Sequence, residues 1–131
     1  MTVDAVDLRS LRRASLPKDA LAAPPGVCVA RADFSVPVLD ISKAALADRL
    51  RAVAQAEPRT RLVAEFPELD QLVFEQHSRA FRFPDTIRVQ VVSMSDGVSA
   101  ILYSRSRYGG WNMGVNRKRL CRWLARLEAS A

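Results

Sequence analysis

The chain has 131 residues, 49% of them hydrophobic and 26% charged, and a formal net charge of +6. Such a length fits one globular domain able to bury roughly two-thirds of its unfolded surface. No apolar run approaches the roughly 20 residues that a bilayer-spanning helix needs.

In chain order, residues 1–35 show little periodicity, scattered charges and the break "AAPPG". They predict an extended N-terminal arm, with Leu8 to Arg13 as a short turn at most, lying on its own domain or on a partner. The apolar stretch "ALAAPPGVCVA" is interrupted by Pro24 and Pro25 and lacks a signal peptide's compact core. The paired arginines of "LRRASLP" precede no apolar region, which speaks against a twin-arginine signal, and a cytoplasmic protein is expected. Cys28 and Cys121 have neither CxxC spacing nor a histidine pair, so two reduced thiols are expected rather than a zinc site or a disulfide scaffold.

Residues 36–131 predict the folded domain. "SVPVLDIS" suggests a short strand in which Pro37 fits only an edge. Ser42 caps a helix over "KAALADRLRAVAQAE", with Leu46, Leu50 and Val53 on one face and Pro58 as its stop. "TRLVAEF" and "LDQLVFEQHS" predict two strands around a turn at Pro67. "TIRVQVVSM" alternates Ile87, Val89 and Val91 against Arg88 and Gln90, and "SDG" turns it into "VSAILYSRSR". On that last strand Val98, Ala100 and Leu102 share one face, while Ile101, Tyr103, Arg105 and Arg107 share the other.

Asn112 is expected to cap a final helix whose apolar stripe is Met113, Leu120, Leu124 and Leu127, with Trp123 beside it. Lys118, Arg122 and Arg126 follow at four-residue steps on its outer side, a spacing at which like charges oppose helix formation by about 0.2–0.5 kcal/mol per pair. The predicted order is β-α-β-β-β-β-α: an α+β domain with a mostly antiparallel sheet of about five strands and two amphipathic helices.

The charge is uneven. From residue 101 onward there are seven basic residues and one acid, Glu128, so this quarter carries the whole excess. An acidic or phosphate-bearing partner is the natural inference, against a merely solvated basic face.

The stretches "HSRAFRFPD" and "YSRSRYGGWNMGVNRKRL" together resemble the domain-of-unknown-function family 1499, found in bacteria and plant plastids. Ser78, Arg79, Phe81, Phe83 and Asp85 match its first motif. Ser104, Ser106, Arg107, Gly109, Gly114, Asn116 and Arg119 match its second. The resemblance covers about residues 36–129, and Cys28 in "PPGVCVA" corresponds to a cysteine of the family's N-terminal segment. Tyr103 stands where the family has arginine, Trp111 where it has serine and Asn112 where it has aspartate. Many members sit behind a membrane anchor; this chain is expected to be a divergent soluble member, recruited as an accessory subunit.

The strand-to-helix junction is the candidate site. Gly109 and Gly110 allow close backbone approach, and free amides at a helix start favour an anion. Asn116 falls on the apolar stripe and needs partners, with Ser78 and Asp85 as candidates. Two arrangements fit: a buried network of Arg79, Asp85, Ser106, Arg107 and Asn116 that locks helix to sheet, or a pocket for a phosphate or carboxylate. The candidate set is therefore Ser78, Arg79, Asp85, Ser104, Ser106, Arg107, Gly109, Asn112, Asn116 and Arg119, with Lys118, Arg122 and Arg126 as a partner-facing surface.

Catalysis finds little support. His77 is the only histidine, neither cysteine has an activating partner, and neither a nucleotide-binding fingerprint, a cofactor motif nor a metal-ligand pattern is present. Tyr103, Tyr108, Trp111 and Trp123 interleave with basic residues, but no nucleic-acid motif accompanies them, so nucleic acid ranks third. Two readings lead: a non-catalytic accessory or assembly subunit docking through the arm and the basic C-terminal surface on a larger, partly acidic protein, or a small-molecule module or enzyme that takes an anionic ligand at the Ser104–Arg119 junction.

Overall fold

The computed structural model describes residues 3–13, 19–77, 84–106 and 114–130. In chain order the elements are β1 (Asp19–Ala23), β2 (Phe34–Ser35), α1 (Lys43–Ala56), β3 (Thr60–Phe66), β4 (Gln71–Gln76), β5 (Asp85–Met94), β6 (Gly97–Ser106) and α2 (Val115–Ala129). They form one six-stranded sheet in the order β2-β1-β6-β5-β4-β3, antiparallel throughout except for β1 with β2. This is the expected α+β architecture with six strands instead of about five.

The additional strand is β1, and it corrects the boundary at residue 35. Asp19 to Ala22 pair with Arg105 to Leu102 of β6, so part of the expected arm is an interior strand of the sheet. All five residues of β1 are buried. Ala20 and Ala22 meet the core under the helices, whereas Leu21 and Ala23 meet a second apolar cluster on the opposite face. A strand covered on both sides carries no polar alternation to announce it.

One face of the sheet packs against α1 and α2. Leu46, Leu50 and Val53 of α1 and Leu120, Trp123 and Leu127 of α2 close over Phe74, Ile87, Val89 and Leu102. Phe74 and Trp123 meet edge to face with ring centroids 5.8 Å apart, a favoured aromatic geometry. Ser42 caps α1 as expected, its Oγ accepting from the Ala45 amide at 3.0 Å.

Residues 3–13 cover the other face. Leu8 is completely buried there beside Leu21, Ile101 and Tyr103. A polar ladder on β4 and β5 holds the arm's backbone. Gln71 Nε2 donates to the Val6 carbonyl at 2.6 Å, Arg88 Nη1 to the Asp4 carbonyl at 2.8 Å, and Gln90 Oε1 accepts from the Leu8 amide at 2.9 Å. The polar positions that alternate with Ile87 and Val89 therefore face the arm. Asp7 accepts from the Arg9 side chain and then from Gln90 Nε2, which lowers its carboxyl from 3.8 to about 2.

The β5–β6 turn explains Gly97. Leu39 and Val98 exchange both backbone hydrogen bonds, at 2.7 and 2.9 Å, just beside it. A Cβ on Gly97 would lie 2.2 Å from the Leu39 carbonyl oxygen, and its φ of +149° also disfavours a side chain. Of the short strand expected over "SVPVLDIS", only Ser35, the second residue of β2, and this single bridge at Leu39 pair.

Candidate functional site

The ends of β4, β5 and β6 align a polar row beneath the first turns of α2. Gln76 pairs with Asp85, and Asp85 with Ser106, so the three lie side by side across the sheet. Ser104 sits one step inward, on the same helix-facing side as Ala100 and Leu102, as strand alternation requires. From α2, Asn116 and Arg119 project onto this row three residues apart, both buried.

The contacts among them are specific. Ser104 Oγ donates to Asn116 Oδ1 at 2.7 Å, and Asn116 Nδ2 donates to Ser106 Oγ at 2.9 Å. Arg119 Nη1 donates to Asn116 Oδ1 at 2.7 Å and to Ser104 Oγ at 3.0 Å. Its Nε donates to Gln76 Oε1 at 2.7 Å, and its Nη2 to Asp85 Oδ2 at 2.8 Å. Arg119 is only 4% exposed, so each of its nitrogens must find a protein acceptor. Burial pushes the guanidinium below its ordinary value, and the charge of Asp85 opposes that shift.

Gln76 extends the network to the outer side of α2. Its Nε2 donates to Glu57 Oε1 at 3.2 Å. The same carboxylate accepts from Arg122 Nη2 at 3.1 Å and, through Oε2, from Arg126 Nε at 3.0 Å. Burial alone would raise the Glu57 carboxyl, but hydrogen bonds from Gln76 and Arg122, the charge of Arg122 and a hydrogen bond from Arg126 outweigh it and hold the group below its usual range. Arg122 and Arg126 are therefore anchored at their inner edges. Lys118, one turn earlier, is exposed.

Of the sequence-predicted residues, Asp85, Ser104, Ser106, Asn116 and Arg119 converge. Ser78, Arg79, Arg107, Gly109 and Asn112 lie outside the described residues. One expectation is corrected: the helix begins at Val115 with Gly114 as its N-cap, at φ 75°, instead of at a capping Asn112. Among the described residues Asn116 bonds Ser104, Ser106 and Arg119, and the Asp85 carboxylate goes to Arg119. Gln76 and Glu57 were not singled out by sequence reasoning. Their strongest signal was polarity at otherwise buried positions, visible only once the sheet register is known.

Three further ionic contacts tie the N-terminal half to this end of the sheet. Arg117 Nη1 reaches Asp33 Oδ1 at 3.0 Å, with its guanidinium 5.1 Å from the centre of the Phe34 ring. Arg13 Nη2 reaches Asp19 Oδ1 at 2.8 Å and Asp33 Oδ2 at 2.9 Å. Among the described residues no three His, Cys, Asp or Glu side chains gather as a metal set. None of their helices is long and apolar enough to cross a membrane.

Residues 18–127 match the family described as protein of unknown function (DUF1499), and the chain belongs to it. The match begins at the start of β1, ahead of the residue 36 at which the resemblance was expected to start. No curated protein matches the chain. Among solved structures it is similar to the X-ray structure of protein MLL2253 from Mesorhizobium loti, with 12% identity and a TM-score of 0.39 over 53% of this chain and 55% of that one. The chain thus spans about half the length of that protein.

Proposed function

We propose that the chain is a non-catalytic accessory or assembly subunit that docks the outer face of α2 on an acidic surface of a larger protein. The observation that supports this reading is the shared carboxylate of Glu57. Two guanidinium groups contact one buried acid, yet Arg122 and Arg126 keep 50% and 45% of their side-chain surface in solvent. With Lys118 beside them, the face retains net positive charge. Its two arginines are already held in place, so binding costs less side-chain ordering than it would for free arginines. Complementary charge would then steer encounter and fix register.

The described part of the arm is committed to its own sheet, so the docking role falls to α2. The thiols Cys28 and Cys121 are both free, which suits a reducing, cytoplasmic setting in a bacterium. Native affinity purification from the source cell tests the reading. A stoichiometric complex with an acidic protein, released by salt, is the expected result. Recovery of the chain as a lone monomer under low salt would contradict it.

A further inference from the structure

A second charged feature lies on the opposite side of the sheet, between the arm and the β5–β6 hairpin. There Thr86 pairs with Arg105 and Arg88 with Tyr103, so these four side chains tile one patch of the sheet. Val6 and Leu11 of the arm complete a pocket of about 340 Å³ over them. That volume falls within the range of small-molecule sites.

The electrostatics of this pocket are unbalanced. Neither Arg88 nor Arg105 makes an ion pair among the described residues, although ten such pairs are formed elsewhere. Arg88 is partly buried, and its hydrogen bonds go to neutral acceptors, the Asp4 carbonyl and Gln71 Oε1 at 2.8 and 2.9 Å. Burial pushes its guanidinium below the ordinary value, while the charge of Asp4 only partly opposes this. Across the sheet from Arg105, the Asp19 carboxylate is already engaged by the Tyr103 hydroxyl at 2.8 Å and by Arg13 at 2.8 Å. Burial and then that hydrogen bond raise the Tyr103 hydroxyl well above its usual range, so it stays neutral and does not repel an anion.

A half-buried cation without a carboxylate is costly unless a counter-charge arrives. We infer that this pocket binds a small organic anion, its carboxylate or phosphate head between Arg88 and Arg105 and its apolar body against Tyr103, Val6 and Leu11. Arginine suits either head group because its planar fork can donate two parallel hydrogen bonds. The arm forms one wall, so an occupied pocket also fastens residues 6–11 to the sheet. The site shares no residue with the α2 docking face, and either proposal can fail without the other.

The test titrates the full chain with benzoate, phenyl phosphate and the uncharged benzyl alcohol, by calorimetry and amide hydrogen exchange. At least one of the two anions is expected to bind saturably and to slow exchange in residues 6–11, and the tighter of the two identifies the head group. The Arg105 side chain makes no hydrogen bond among the described residues, so Arg105→Gln is expected to stay folded and bind about tenfold or more weakly. Arg49→Gln, on α1 at the opposite face of the sheet, removes the same charge far from the pocket and should bind like the wild type. Absence of saturable binding by both anions would overturn the inference. So would equal weakening by the two substitutions, or binding of benzyl alcohol as tight as that of the anions.

Discussion

Replacing Arg119 by methionine removes every donor of the buried guanidinium while keeping most of its aliphatic volume. Asp85 then loses its ion-pair partner, and Gln76, Asn116 and Ser104 each lose a hydrogen-bond donor. Breaking a buried charge pair by removing one partner costs about 3–5 kcal/mol. Asp85 retains 19% side-chain exposure and can recruit water, which places the expected loss near the lower end, about 3 kcal/mol. Ser104 and Asn116 still bond each other, which also limits the damage. Urea denaturation at neutral pH reads this as a lower midpoint with an unchanged slope. The loss should be the same in phosphate and in chloride buffer, because all three Arg119 nitrogens already have protein acceptors. A loss under about 1 kcal/mol, or one that phosphate reverses, would refute the buried-network reasoning and return the junction to the anion-pocket reading.

Deleting residues 1–35 removes β1, β2 and Leu8 together, and the remainder should lose cooperative unfolding; a sharp transition in the truncated chain would show that the sheet closes without them. Gly97→Ala drives a Cβ against the Leu39 carbonyl at a positive φ and should destabilise by more than about 1 kcal/mol in thermal or chemical denaturation, whereas a neutral effect would contradict the close approach. Asp7 has a folded pKa of about 2 against 3.8 unfolded, so its contribution to stability is present above 3.8 and is lost as pH falls toward and through 2. Asp7→Asn should therefore flatten the acid limb of a stability–pH profile, and an unchanged limb would exclude the Arg9 and Gln90 contacts as its cause.

What was legible in the sequence follows from whether one face of an element meets water. The first helix, with Ser42 and the Leu46–Leu50–Val53 stripe, and the β5–β6 hairpin both carry such a face. Ser104 and Ser106 continue the helix-facing side of Ala100 and Leu102 by strand alternation. Strand β1 was not legible, because "DALAA" is buried on both sides and alanine carries little strand preference. The alternation of Arg88 and Gln90 against Ile87 and Val89 does not say what their face meets; with Gln71 their polar groups match the backbone of an arm more than sixty residues away in sequence. The like charges of Lys118, Arg122 and Arg126 oppose helix formation, and the packing of Leu120 and Leu127 offsets that cost. Glu57 supplies a second answer, and its distance of 65 and 69 residues from its arginine partners hides it from any local pattern.

The docking surface is tested most directly by measuring how association with the captured partner depends on salt, for the wild type and for Lys118→Glu. Lys118 is exposed, and the Arg122 and Arg126 contacts with Glu57 do not involve its side chain, so the variant should keep the wild-type fold and unfolding midpoint. The account predicts slower association, weaker affinity and a shallower salt dependence in the variant. Equal affinity and an equal salt slope in the two proteins would contradict it.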